Sequence, residues 1–294
     1  MRVTQNSTAN LVLNSLQAIR ERQDQLEQYA STGVKVSAPG DDPTVAQQIL
    51  HLKSLSTASD QYTRNITNAT SLLTMSESAM SNMGNVLERT KELALSMAND
   101  TNNSDSQTAA LNEMTQLKDQ LITLGNTQFN GKYIFGGFKN DTPPFDALGA
   151  FNGSGDAISI EVSQDAKVQV NYPGDTLLSG AGGGTNVMQI FDNLTTALTA
   201  GNTAGVRAEL SNLDSAMSQV LDARSVVGSS LNRLTSVGSV NDDQKLTTTK
   251  VLSGLQDVDY LQVVSDLTKQ QTAYQTAIAA SAKVSQISLL DYLK

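Results

Sequence analysis

The sequence predicts a mainly α-helical protein with a small β insertion. Apolar residues recur at three- and four-residue steps through long stretches that lack proline, which is the helical pattern. Residues 140–185 instead hold several prolines and glycines and two short runs that alternate between apolar and polar residues. Aromatic residues make up only 4% of the chain and Trp is absent. We therefore predict an elongated rod, with paired terminal helices and a discontinuous helical bundle.

The first element is an amphipathic helix over residues 5–33. Its apolar positions form one heptad-like stripe: Ala9, Val12, Leu16, Ile19, Leu26 and Ala30. Gly33 ends it, and residues 33–43 are rich in Gly, Pro and Asp. Asp42 followed by Pro43 is typical of a helix start, with an N-cap residue and proline at the first helical position. The neighbouring carboxylate of Asp41 also complements a helix N-terminus.

A very long helix follows, over residues 44–98, and a shorter helix over about 110–124 returns antiparallel to it. The predicted core stripe of the long helix starts at Leu52 and runs at three- and four-residue steps to Met97. Its polar members, Ser59, Ser76 and Thr90, are small. Beyond the returning helix, Asn130-Gly131 before a β-like run predicts a hairpin. Ile158, Ile160 and Val162, then Val168, Val170 and Tyr172, predict two strands that turn at Gln164-Asp165.

The second half of the chain returns to helix. We predict a short helix over 186–200, a longer one over about 203–240, and a terminal helix after Gly254. Asn241-Asp242-Asp243 marks either a joint or a polar patch. The terminal helix carries two apolar stripes: Tyr260, Val264, Leu267, Tyr274 and Ile278, and then Ala273, Ala277, Ala280, Val284, Ile287 and Leu290. A nearly uncharged helix that is apolar on more than one side needs a helical partner and then a further neighbour.

Composition excludes several classes of function. The net charge of −9 and pI near 4.6 argue against binding to nucleic acids or anionic membranes. Without Cys and with the single His51, zinc sites and Cys/His or Ser/His/Asp catalysis are not expected. We predict no enzyme activity, cofactor or metal. The N-terminal residues lack the apolar region of a signal peptide, so we expect a cytoplasmic protein or one exported without a cleaved signal.

Particular segments carry a family resemblance. Residues 37–43 (SAPGDDP), 127–137 (TQFNGKYIFGG), 224–234, and 282–293 (AKVSQISLLDYL) resemble segments of the flagellin superfamily. The continuation KYIFGG and the ending LLDYL are similar to its branch of hook–filament junction proteins. The resemblance implies residues 1–40 and 257–294 as the halves of an inner coiled-coil domain. It further implies residues 41–139 and 186–256 as a helical rod domain, and 140–185 as an outer β domain.

The resemblance also implies a structural adaptor at the extracellular junction between hook and filament. It would form a ring with its own copies and contact a hook-associated protein on one side and flagellin on the other. It would be exported by the flagellar type III apparatus after a cytosolic chaperone releases its C-terminal helix. The predicted assembly interface comprises Val12, Leu16, Ile19, Leu26, Leu267, Tyr274, Ile278, Val284, Ile287 and Leu290. Alternatives are a minor flagellin, a secreted helical effector or adhesin acting through the β insertion, and, more remotely, a hydrolase.

Overall fold

Long helices account for most of the chain, as the sequence predicts. The computed structural model describes the backbone of residues 5–99 and 104–292 and the side chains of residues 10–99 and 104–282. The helices are α1 (Gln5–Thr32), α2 (Pro43–Met97), α3 (Ser104–Gly125), α4 (Gly174–Leu178), α5 (Val187–Thr199), α6 (Thr203–Gln256) and α7 (Tyr260–Tyr292). The strands are β1 (Gln128–Phe129), β2 (Lys132–Tyr133), β3 (Ser159–Ser163) and β4 (Ala166–Gln169). The mainly α class with small antiparallel strand pairs is confirmed.

The chain divides into two compact units. Unit 1 contains Met1–Thr57 and Lys245–Lys294, and unit 2 contains Ala58–Gln244. Both chain ends therefore contribute to unit 1, while the predicted β insertion belongs to unit 2. The finer division into five segments remains a prediction.

In unit 2, helices α2 and α6 run antiparallel. Lys91 pairs with Asp214 at 2.5 Å and Glu77 pairs with Arg224 at 2.7 Å, so later residues of α2 meet earlier residues of α6. Between them lies a core that α3, α5 and the insertion complete. Its largest fully buried side chains include Leu73, Met80, Met83, Leu87, Met114, Phe135, Phe145 and Phe191.

The predicted stripes of unit 2 match the buried helix faces. Every residue of the predicted α2 stripe from Leu52 to Met97 is buried or half-buried. The apolar stripes of α3, α5 and α6 are likewise turned away from solvent. Residues 241–243 do not form a joint, because α6 continues through them as one helix. Of the two alternatives, the prediction of a joint is therefore wrong. Asn241 is only 7% exposed there, since its amide binds the backbone and side chains of α2.

Two antiparallel hairpins interrupt the helices. Phe129 pairs with Lys132, and Asn130 and Gly131 have φ angles of 51° and 76°, which is the turn that the Asn-Gly pair predicts. The second hairpin pairs Ile160 with Val168. It is fastened to α2, where the Asn65 amide donates to the carbonyl of Glu161 at 2.8 Å. Both predicted hairpins are confirmed.

Candidate assembly surface

The two ends of the chain form an antiparallel helix pair within unit 1. The Gln270 amide of α7 donates to the Ile19 carbonyl of α1 at 3.0 Å. Where the pair begins, Lys35 N–H donates to the Gln256 carbonyl at 2.7 Å and Val258 N–H donates to the Gly33 carbonyl at 3.1 Å. These backbone bonds tie the segment after α1 to the segment before α7.

The seam of this pair follows a heptad pattern on both helices. Besides Tyr29 and Asp266, the buried or half-buried residues described for α1 are Val12, Leu16, Ile19, Gln23, Leu26 and Ala30, and those for α7 are Val263, Leu267, Gln270, Tyr274, Ala277 and Ser281. This three- and four-residue alternation is the spacing of coiled-coil a and d positions. The seam has few fully buried members, of which Leu26 is 4% exposed and Val263 is 7% exposed. Much of the pair therefore remains accessible to other molecules.

The predicted interface residues and the predicted stripes that contain them fall into three groups. The described members of the α1 stripe lie on the face turned toward α7, and Leu267 and Tyr274 lie on the matching face of α7. The side chain of Ala9 lies outside the described residues. Placing Tyr260, Val264 and Ile278 in that same stripe is wrong, since they are 58%, 44% and 46% exposed. The stripe identified in the sequence lies to one side of the true seam, which includes Val263 and Gln270. The side chains of Val284, Ile287 and Leu290 lie outside the described residues.

Apolar residues flank the seam of α7 on two sides. One flank, called here the Leu261 flank, comprises Tyr260, Leu261, Val264 and Ile278, and Leu261 is 85% exposed. At 3.6 residues per turn, Ala273 and Ala280 fall on the opposite flank, and both are exposed. Large exposed apolar side chains grouped on one helix are typical of an interaction surface.

The two helices of the pair differ in how many charged residues they carry. Outside its seam, α1 carries Arg20, Glu21, Arg22, Asp24 and Glu27. On the described part of α7 before residue 283, Asp266 and Lys269 are the charged residues, and they bind each other at 3.2 Å. Hydrogen bonds from Gln262 and Lys269 lower the pKa of the Asp266 carboxyl, and the charge of Arg22 on α1 adds to this effect. The flanks of α7 are thus nearly free of net charge.

The break between α1 and α2 is ordered by its two aspartates. Asp42 caps α2, because its Oδ1 accepts the N–H groups of Thr44 and Val45 at 3.0 Å. Asp41 was predicted to complement the same helix start, but its carboxylate points back into the break. Its Oδ2 accepts the N–H groups of Ser37 and Ala38 at 2.9 Å, which lowers the pKa of Asp41.

This break also forms a feature that the sequence pattern did not reveal. Residues 36–39 fold against the first turns of α2 and enclose an apolar pocket of about 100 Å³. The pocket is lined by Val36, Ser37, Ala38, Pro39, Ala46, Ile49, Leu50, Lys53 and Gln256. Hydrophobic periodicity identifies helix faces but carries no information on how a connecting loop closes over one of them.

Two further properties concern the described residues as a whole. Within the part of the chain described above, no helix combines the length and hydropathy needed to span a bilayer. Among those same residues, no three His, Asp or Glu side chains are grouped closely enough to hold a metal ion.

Known proteins are similar to this chain in sequence and in fold. Flagellar hook-associated protein 3 of Escherichia coli K12 is 28% identical over 98% of this chain and 99% of its own length. A flagellin of Bacillus subtilis strain 168 is 25% identical over 97% of each chain. A solved structure described as a flagellar hook-associated protein from Vibrio parahaemolyticus superposes with a TM-score of 0.68 at 24% identity. It covers 74% of this chain and 100% of that one.

Family models match the two ends of the sequence. The model of the bacterial flagellin N-terminal helical region matches residues 3–140, and that of the C-terminal helical region matches residues 210–293. The matched segments contain α1, α2, α3 and the first hairpin on one side and most of α6 with α7 on the other. They together cover well over half of the sequence, and the chain belongs to the flagellin superfamily.

Proposed function

We propose that this chain is a structural adaptor of the bacterial flagellum that joins the hook to the filament. The observation that carries the proposal is its end-to-end similarity to flagellar hook-associated protein 3, over 98% of this chain and 99% of the relative. The exposed flanks of α7 supply a physical basis, because apolar helix surface is stabilised when other helices cover it. The adaptor acts by packing, and the proposal assigns it no catalytic step.

The proposed partners follow from this role. Copies of the chain form a ring. A hook-associated protein lies on one side of this ring, and flagellin lies on the other side. Before export a cytosolic chaperone covers the C-terminal helix. The chain then passes through the flagellar export apparatus without a cleaved signal and functions outside the cell. The ten predicted interface residues are part of this proposal, and Ile278 is the best supported of them because it is exposed and apolar.

Removing residues 260–294 tests the adaptor role in living cells. A strain that carries only the truncated chain should keep its hooks, lose its filaments and release flagellin into the medium. Electron microscopy counts hooks with and without filaments, and immunoblotting measures flagellin in the culture supernatant. A strain with full filaments would contradict the proposal.

A single substitution tests the surface of α7 more finely. Ile278→Asp places a charge on an exposed apolar site without altering the seam, so the α1–α7 pair should persist while incorporation is blocked. Leu267→Asp should block incorporation too, but by breaking the seam. Leu148→Asp is the matched control, since Leu148 is 78% exposed and lies in unit 2. Normal incorporation of the Ile278→Asp variant would remove Ile278 from the interface.

The second candidate is a minor flagellin, which the similarity to the Bacillus subtilis flagellin favours. A flagellin polymerises on its own kind, whereas an adaptor stops after one layer. Purified chain should therefore fail to grow long filaments on flagellar seeds, as followed by light scattering and electron microscopy. Growth of long filaments would favour the minor flagellin instead.

A further inference from the structure

The pocket beside the break is formed before anything occupies it. Asp41 holds Ser37 and Ala38 in place through hydrogen bonds from both N–H groups and from the Ser37 hydroxyl. The Lys35 ammonium donates to the Gly254 carbonyl of α6 at 2.9 Å, which fixes the start of the same segment. A site that is already ordered loses less conformational entropy when a partner binds.

The chemistry of the pocket selects one kind of occupant. Most of its lining residues are apolar, with Ser37, Lys53 and Gln256 as the exceptions, and its volume of about 100 Å³ suits a single aliphatic side chain. Lys53, an exposed residue, is the one cationic residue of the lining. The pocket therefore fits an apolar side chain that is accompanied by a carboxylate.

One segment of the same unit has these properties. Leu261 is 85% exposed, more than any other large apolar residue among the described side chains. Two exposed aspartates, Asp257 and Asp259, precede it in the chain. Because Leu261 is so exposed, it does not fill the pocket of its own chain.

We propose that Leu261 of one copy inserts into the pocket of the next copy, with Asp257 and Asp259 facing Lys53. This inference rests on the proposed function, since it names the contact between neighbouring copies in the ring. Because each copy gives its Leu261 to the next copy and receives that of the previous one, the proposed contact is heterologous. Repetition of a heterologous contact generates a ring when its rotation closes.

Cysteine cross-linking tests the contact directly. The chain has no Cys, so introduced thiols have no background. Leu50→Cys places a thiol at the pocket and Leu261→Cys places one on the protruding side chain. Disulfides form only when the Cα atoms lie within about 7 Å, so cross-links report close approach. Flagella from cells that carry the double variant should give a ladder of dimers, trimers and larger species on non-reducing gels.

The controls separate this inference from the proposed function. Either single variant, and the pair Leu148→Cys with Leu261→Cys, should give no ladder. If cells with the double variant grow filaments and yet the chain stays monomeric on the gel, the pocket contact is wrong while the adaptor role stands. Loss of hooks or retention of filaments in the strain truncated at residue 260 bears on the adaptor role alone.

A second variant decides the matter if the double variant fails to assemble. Leu261→Asn removes the aliphatic group without disturbing a buried contact and should lower the share of hooks that carry filaments roughly tenfold or more. Leu148→Asn, at a comparably exposed leucine, should leave that share unchanged. Equal filament counts for the two variants would overturn the inference.

Discussion

At Asp41, one exposed carboxylate organises a whole connection. It gathers the N–H groups of Ser37 and Ala38, which no helix or strand satisfies. The adjacent Asp42 does the same for the start of α2. The two neighbours thus act on opposite sides, one on the loop and one on the helix, although the sequence presents them as one acidic pair.

We predict that the protection of the loop amides of Ser37 and Ala38 from hydrogen exchange depends on pH, because it depends on the charge of Asp41. Its pKa lies below the ordinary value of 3.8, so its stabilising effect is complete above that value and is lost as the pH falls through the folded pKa. Hydrogen exchange at Ser37 and Ala38, measured by mass spectrometry, should accelerate beyond the intrinsic pH trend only in that acidic range. In Asp41→Ala, which has no side-chain acceptor, the two amides should exchange fast at every pH. Equal protection in both proteins would contradict this.

Asn241 is a second polar residue whose role is set by its hydrogen bonds, in this case to another helix. Near the end of the α2–α6 seam within unit 2, its Oδ1 accepts the Ser59 hydroxyl at 2.7 Å, and its Nδ2 donates to the Ser59 carbonyl at 3.1 Å and to Thr63 Oγ1 at 2.9 Å. Ser76 and Thr90, also buried in the seam, instead donate to carbonyls of their own helix. A buried polar group that bonds across two helices favours one register over others.

Replacing Asn241 should destabilise unit 2. Asn241→Ala leaves the Ser59 hydroxyl without its acceptor, and we expect a loss of about 1–3 kcal/mol in the free energy of unfolding. Asn232→Ala, at an exposed site on the same helix, should change it by less than about 0.5 kcal/mol. Combining Ser59→Ala with Asn241→Leu should recover much of the loss, because neither partner is then left unsatisfied. Urea denaturation followed by circular dichroism measures all of these changes.

At the scale of elements, the paired helices α1 and α7 are held by a narrow seam. Among its described members only Leu26 and Val263 are buried, and amides of Gln23, Gln270 and the hydroxyl of Ser281 occupy seam positions. Polar residues at such positions reduce the hydrophobic stabilisation per turn. The pair is therefore sensitive to the loss of any one large apolar side chain.

Leu26→Ala should destabilise the α1–α7 pair by about 2–5 kcal/mol, the usual effect of truncating a buried leucine. Leu13→Ala is the matched control on the same helix, because Leu13 is 57% exposed, and it should have an effect below about 0.5 kcal/mol. Hydrogen exchange resolved to peptides of α1 and α7 reports the change, and peptides of α3 and α5 should be unaffected. Similar effects of both substitutions would show that Leu26 is not central to the seam.

Elements with a single buried face could be predicted from the sequence. The stripes of α2 and α6 have the right phase because every third or fourth residue is apolar and the other faces are polar. The stripe of α7 has the wrong phase because apolar residues surround the helix, so that the pattern leaves open which of them meet α1. The Asn-Gly turn was predictable because few other residue pairs adopt two positive φ angles.

Other features depended on contacts that a local pattern does not contain. The chain leaves the helix between Gln256 and Tyr260 without Gly or Pro, because Val258 bonds to Gly33 and Asp259 caps α7. The continuation of α6 through Asn241 depended on a partner 182 residues away in α2. The residues that line the pocket come from α2, α6 and the break between α1 and α2. The pattern of any one of these segments therefore does not predict the pocket.

For the molecule as a whole, the two units differ in how much they bury. The continuous apolar core, from Ala69 to Leu234, lies in unit 2. The buried apolar side chains described for unit 1 are Leu26, Ala46, Ile49 and Val263. Since hydrophobic burial is the main favourable contribution to folding, unit 1 of the isolated chain has much less stabilisation.

We therefore expect the isolated chain to lose its structure in two steps. Amides of α1 and α7 should exchange, and their peptide bonds should be cleaved by protease, at urea concentrations that leave α3 and α5 intact. Hydrogen exchange and limited proteolysis across a urea series measure both transitions. Assembly should protect α1 and α7, as their exposed flanks become covered. A single transition for all helices would show that the two units unfold together.

The pairing of the chain ends has a consequence in time. Ile19 and Gln270, which bond across the pair, are 251 residues apart. Ribosomes add about 5–20 residues per second, so α1 emerges on the order of tens of seconds before its partner exists. All residues of unit 2 are synthesised before α7 is complete. Until α7 is made, the seam face of α1 remains exposed to water. Synthesis rate and the delay before the last helix appears thus set how long each new chain exposes a surface that its folded form covers.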